Sequence, residues 1–228
     1  MTFSIAGRCA GTGAFGVAIA SSSPAVGARC PNVRAGVGAA CSQNVTDPRL
    51  GPALLDALAA GADARQAITV VLAGAGFAEH RQLVVVDTAG RTAQWTGERA
   101  LGIVGVCQTP DAVAAGNLLA GPEVVEVMAT AFTGTAGRPL GDRLLAALRA
   151  AATAGGEAGP VHSAALLVTA DRAEVTWPAT DLRVDWDDDP IGRLGALWTL
   201  WAPQAQTYLV RALDPEAAPS YGVPGDEQ

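Results

Sequence analysis

Short runs of alternating apolar and polar residues open the chain. Thr2–Gly7, Ala14–Ala20, Val26–Arg29 and Val37–Cys41 predict four strands, with Gly11-Thr12-Gly13 turning the first into the second. The period then lengthens: Pro52–Gly61 has helical apolar spacing and a closing glycine, and Asp63 stands as N-cap to a second helix over Ala64–Leu72. A period of two returns at Gln82–Val86 and Thr92–Thr96, which flank the turn Asp87-Thr88-Ala89-Gly90, and again at Ala112–Gly116. Pro122–Phe132 and Leu140–Ala152 predict a second pair of amphipathic helices, and Ser163–Thr169 and Ala173–Trp177 a last pair of strands. An aspartate-rich stretch, Asp181–Asp189, leads into a final helix from about Pro190 to Ala205.

Strands, two helices, strands, two helices, strands is an order that tight turns can join without crossovers, which argues against a doubly wound sheet. Two sheets packed face to face, each with a helix pair on its outer side, would bury every apolar surface. The expected fold is therefore α+β, a four-layer α-β-β-α sandwich of two mainly antiparallel sheets. Residues 1–214 are expected to form one domain, and residues 215–228, rich in Pro, Gly, Asp and Glu, a flexible tail.

Half of the 228 residues are hydrophobic, enough for a sizeable core, and the net charge is −7 with only 16% of residues charged. Clustered Lys and Arg are missing, so neither nucleic acid nor an anionic membrane surface is an expected partner; a small-molecule substrate is. Without a secretory signal or a long uninterrupted apolar run, the expectation is a cytoplasmic protein. Cys9, Cys30, Cys41 and Cys107 contain no C-x-x-C pair, and His80 and His162 are poorly spaced for zinc. Buried thiols are the natural reading, with Cys41 a reserve nucleophile that no nearby histidine activates. No metal or organic cofactor is implied, since the aspartates at 181, 185, 187, 188 and 189 lack the spacing of a calcium loop.

Thr2 carries the most pointed chemistry. Once Met1 is removed, one small residue holds a nucleophilic hydroxyl and an α-amine whose pKa of about 7.7–8.0 suits it as that hydroxyl's base. Many threonines at this position simply begin an edge strand, so context decides. An oxyanion would need donors, for which Asn44 and Asn117 are candidates; each could equally serve a turn. Glu98 and His162 read as loop residues, and Trp198 with Trp201 as a core or dimer contact, so that a homodimer is possible.

Several ordered phrases resemble one family: Thr2-Phe3-Ser4-Ile5, Gly16-Val17-Ala18-Ile19-Ala20-Ser21, Ala35-Gly36-Val37-Gly38-Ala39, Gly51-Pro52, Arg81-Gln82-Leu83, Ala115-Gly116-Asn117-Leu118-Leu119 and Ser163-Ala164-Ala165-Leu166-Leu167. On these the chain, from Thr2 to about Leu200, is identified as a member of DUF1028, which is similar to the N-terminal nucleophile (Ntn) hydrolases. The resemblance implies an α-β-β-α sandwich with Thr2 as nucleophile at the head of the first strand. It places Ser21 and Ser22 beside the active-site floor and Gly36–Gln43 on the strand whose far end lines the pocket. The layout is similar to that of proteasome β subunits but departs from it in having no lysine near the threonine; Arg29 and Arg34 are the neighbouring cations. Ser21, Ser22, Arg34 and Gln43 are then the expected substrate-binding residues, and the implied activity is cleavage of a small amide, ureide or related C–N bond. The alternative is a ligand-binding or assembly protein that keeps the scaffold without the chemistry.

Overall fold

The computed structural model describes residues 1–172 and 174–224. Alternation along β1 (Thr2–Arg8) sends Phe3 and Ile5 to one face and Ala6 to the other, each into a separate buried cluster. The same parity runs through β2 (Phe15–Ser21), β8 (Ala112–Asn117) and β9 (Ser163–Thr169). With β7 (Gly105–Thr109) and β10 (Pro178–Val184) they form a six-stranded sheet in the order β10-β9-β2-β1-β8-β7. The second sheet is β3 (Pro31–Arg34), β4 (Gly38–Asn44), β5 (Arg81–Asp87) and β6 (Thr92–Thr96), in that order. Every strand pair in both sheets is antiparallel.

Three apolar layers hold the sandwich together. Between the sheets lie Ala6, Phe15, Val17 and Ile19 against Ala39, Cys41, Val84 and Val86. Helices α3 (Glu123–Gly134) and α4 (Leu140–Thr153) cover the outer face of the larger sheet through Met128, Phe132, Leu144 and Leu148 on Phe3, Ile5 and Leu166. On the far side α1 (Leu50–Ala59) and α2 (Ala64–Gly74) bury Leu54, Leu58 and Ile68 on Ala40, Leu83 and Val85. Asp63 caps α2 as the sequence predicts, in a reciprocal box with Gln66. The four layers are those the periodicities call for. No helix among the described residues is long and apolar enough to cross a membrane.

Local differences have local causes. The strand expected over Val26–Arg29 is a 3-10 turn at Val26–Ala28, and the strand follows at Pro31–Arg34. Gly27 is pressed so closely on the sheet that a Cβ there would lie 2.6 Å from that of Ala165, so Val26 is buried by a turn and not by strand alternation. Strand β7, an edge strand half-buried along most of its length, has no apolar alternation to announce it. The partner of β9 is β10 at Pro178–Val184, not Ala173–Trp177; residues 174–177 are irregular, and Ala173 lies outside the described residues. Pro178 can start β10 because that strand sits at the sheet edge. Asp181 thus belongs to a strand, while Asp189 caps α5 (Pro190–Trp201) by accepting from Gly192 N at 3.0 Å. Pro203 ends that helix early, and a separate α6 follows at Ala205–Leu213. Trp198 and Trp201 tie α5 inward, through Asp142 Oδ1 at 2.6 Å and Thr180 Oγ at 3.0 Å. Past α6, Pro215–Ala217 makes a 3-10 turn; of the expected tail, residues 225–228 lie outside the described residues.

Candidate active site

The inter-sheet layer is apolar along most of its length and turns polar at one end. Following the inward parity of each strand to that end gives Thr2 and Ser4 on β1, Ser21 on β2, Asn117 on β8, Ser163 on β9, Gln43 on β4 and Gln82 on β5, all buried. Six strands change character at the same level, which no core requires. Burying polar groups costs free energy unless each is paired, and here most are. Ser4 Oγ donates to Gln43 Oε1 at 2.5 Å, Gln43 Nε2 to Gln82 Oε1 at 2.8 Å, and Asn117 Nδ2 to the same Oε1 at 3.2 Å. Gln82 Nε2 in turn donates to the Gly116 carbonyl at 3.0 Å, which ties the two sheets together.

Thr2 stands at the head of β1, directly opposite Asn117 on β8, with Ser21 in the matching position on β2. Its hydroxyl lies 3.3 Å from Ser21 Oγ and against the Met1 carbonyl, and Ser21 Oγ donates to that same carbonyl. The backbone N–H of Ser23 approaches Ser21 Oγ at 3.1 Å and fixes its lone pairs. A peptide carbonyl is thus held between two hydroxyls at the strand head.

Upstream of Thr2 the slot between β2 and β8 is already filled. Leu118, at φ 51°, turns the end of β8 so that its own N–H and that of Leu119 go to Leu101 and Ile103. On the side facing β1, Leu118 O accepts from Ala158 N at 2.9 Å and Ala120 N donates to Gly156 O at 3.0 Å, so that residues 156–158 continue the ladder where an upstream extension of β1 would run. Gly155 and Gly156, at φ 110° and 58°, permit the tight entry. Met1 leaves the sheet instead and is 38% exposed, whereas Thr2 beneath it is 5% exposed.

Glu157, in that plug, was not singled out by the sequence. It is 4% exposed, and both carboxylate oxygens lean on one N–H, that of Ser22, at 3.0 and 3.2 Å. Burial pushes its pKa up to about 7, only partly offset by the nearby amino terminus, Ser22 and His162. His162 stacks on Trp186 at 4.2 Å, and its own N–H donates to Ser21 O.

Thr2, Ser21, Ser22, Gln43 and Asn117 therefore converge. Asn44 and Arg34 do not serve the roles expected of them. Asn44, at φ 71°, donates one Nδ2 hydrogen to His80 O at 2.6 Å and accepts at Oδ1 from Leu101 N at 3.2 Å, which ties it to two neighbouring loops as a turn residue. Arg34 pairs with Gly38 at the opposite end of β4 and bonds Asp56 at 2.8 Å, about 17 Å along the strand from Gln43. Arg29 is likewise occupied, on the carbonyls of Pro24 and Ala25. Asn117 faces the same end of the inter-sheet layer; one Nδ2 hydrogen goes to Gln82 Oε1, and Oδ1 has no partner among the described residues. Gln43 lies one layer beneath Thr2 and orients the amides. Burial drives the Cys41 thiol far above its ordinary pKa, which removes it as a nucleophile. Among the described residues no three His, Cys, Asp or Glu side chains gather as a metal site; Asp181 and Asp187 pair with Arg183 and Arg193.

The model of DUF1028, described as a family of unknown function, matches residues 2–194. Among solved structures, the chain is similar to protein SPO2555 from Silicibacter pomeroyi, assigned to the same family, with 32% identity and a TM-score of 0.80 over 88% of this chain and 86% of that one. Anbu (ancestral beta-subunit) from Yersinia bercovieri overlaps 90% of this chain and 97% of its own at 12% identity and a TM-score of 0.37, a likeness too slight to bear on function. No curated protein matches the chain.

Proposed function

The chain belongs to DUF1028, and from the chemistry gathered at the head of β1 we propose that it is an Ntn-type amidohydrolase that cleaves a small amide, ureide or related C–N bond with Thr2 as nucleophile. The observation that carries this reading is the carbonyl held between Thr2 Oγ and Ser21 Oγ at a buried strand head. When Met1 is removed, that position is open to a substrate carbonyl. Thr2 Oγ attacks the carbonyl carbon while the Thr2 α-amine takes the hydroxyl proton. The Ser21 hydroxyl replaces Asn44 and Asn117 as side-chain donor to the developing oxyanion. The C–N bond then breaks, and the leaving nitrogen receives the proton the amine had taken. Water, deprotonated by the same amine, hydrolyses the ester. Glu157, held on Ser22 N–H in the plugged slot and already influenced by the chain's amino terminus, is the carboxylate this reading assigns to the freed amine.

The test begins with intact mass and periodate, which cleaves an N-terminal threonine only when its amine is free. Small amides and ureides are then screened with wild type and Thr2→Ala side by side. Expected are loss of Met1, periodate sensitivity, and a drop in turnover of about 10³-fold or more in the variant. Retention of Met1 in the native protein, or equal turnover by both chains, leaves the ligand-binding reading in its place.

A further inference from the structure

The polarity of the buried amide network is set by one backbone atom. The Gly116 carbonyl can only accept, so the amide nitrogen of Gln82 faces it and Oε1 points away. That oxygen must then be met by donors, which fixes Gln43 Nε2 and Asn117 Nδ2 upon it. Reversing Asn117 would set oxygen against oxygen. Asn117 Oδ1 is therefore the atom left over: it is fully buried and has no hydrogen-bond partner among the described residues.

Its position relative to Thr2 gives the leftover atom a use. Asn117 and Thr2 are cross-strand partners with side chains on the same inter-sheet face, a spacing of about 4.5–5.5 Å between Cβ atoms. Ser21 flanks Thr2 on the other neighbouring strand. A carbonyl carbon at Thr2 Oγ thus has a hydroxyl donor on the β2 side and a bare acceptor on the β8 side. An amide fits that pair, with oxygen towards Ser21 and N–H towards Asn117. We propose that Asn117 Oδ1 accepts the N–H of the substrate's scissile group, so that the site takes primary and secondary amides or ureides and discriminates against the corresponding esters, ketones and tertiary amides. This rests on the Thr2 reading above. A site that leaves a buried acceptor unpaired with the wrong substrate rejects it strongly.

β-Propiolactone separates the two claims. Its ring opens when Thr2 Oγ bonds the acyl carbon and the ring C–O bond breaks, the hydroxyl proton passing through the α-amine; the adduct is read by intact mass and peptide mapping on protein lacking Met1. Competitors are 2-azetidinone, which has the N–H, and cyclobutanone, the same ring with CH2 in its place. The expected result is that azetidinone protects Thr2 at a concentration about ten-fold or more below that needed of cyclobutanone, and that Asn117→Ala abolishes the difference. No lactone adduct on Thr2 in either wild type or Asn117→Ala, where no buried acceptor penalises an ester, overturns the nucleophile reading itself. Labelling of Thr2 with equal protection by both rings, or by neither, overturns the role of Asn117 alone, as does an advantage for azetidinone that survives in Asn117→Ala. If that variant does not fold, the wild-type comparison of the two rings decides.

Discussion

Of the buried carboxylates, Asp87 and Glu157 lie at opposite ends of this sandwich, and their surroundings differ in kind. Asp87, at the turn between β5 and β6, accepts from the backbone N–H groups of Ala64, Ala89 and Arg91 and from the Arg91 side chain at 2.8 Å. Burial alone would raise its pKa, but Arg91 and those N–H groups outweigh it and the net shift is downward. Glu157, at the Thr2 end, is as deeply buried and has Ser22 as its one hydrogen-bonding neighbour, so burial prevails and its shift runs the other way. A carboxylate saturated with donors is holding the fold together. One kept poor in partners, next to a strand head, is available to something else.

Breaking that contrast should cost most at the saturated end. Asp87→Asn is expected to destabilise by about 3 kcal/mol, because it strips the charge from a site built for it, and to lower the melting temperature by roughly 6–12 °C. A melting temperature within two degrees of wild type would mean Asp87 does not anchor its turn. In pH terms, its stabilisation is present above the unfolded value of 3.8 and is lost as pH falls through the lower folded value.

At the Thr2 end the sign reverses. Glu157 binds its proton more tightly in the folded chain than in the unfolded one, so stability should fall as pH rises from about 4.5 to about 7 and level off beyond. Glu157→Gln keeps an acceptor for Ser22 N–H and should remove that slope. Urea melts of both proteins at pH 5 and pH 7.5 measure it, and parallel losses in the two would show Glu157 to be an ordinary carboxylate. The smallest effect is expected at Arg34, whose partly exposed pair with Asp56 serves neither end. Arg34→Ala should change stability by less than about 1 kcal/mol and leave turnover unaltered; a fall in turnover would bring β3 back into the site.

Much of the polar end was legible from strand parity. Thr2, Ser21, Gln43 and Asn117 each stand where an apolar alternation gives way, the last three one or two residues past the strand ends read from the sequence, and strand pairing brings them to one level. Gln82 carried the same signal at the start of its strand and went unused, because nothing in one strand says which residues of the other sheet it meets. Glu157 lay beyond such reasoning: it is in a glycine-bounded loop without periodicity, and only the ladder with Leu119 places it beside Thr2. The sole hint was one charge in a run of small residues, Gly155-Gly156-Glu157-Ala158-Gly159. Asn44 and Arg34 were chosen for side-chain type, and both had been committed by distant backbone or charge partners that sequence spacing does not reveal.

The plug at residues 156–158 also bears on how the protein should be made. With the strand slot shut just upstream of Thr2, any recombinant leader must bend out of the sheet at residue 1, across the mouth of the site. An affinity tag fused there would cap the amine and shade the hydroxyl at once. A preparation purified by such a tag would look folded and inert, and its silence would be the tag's.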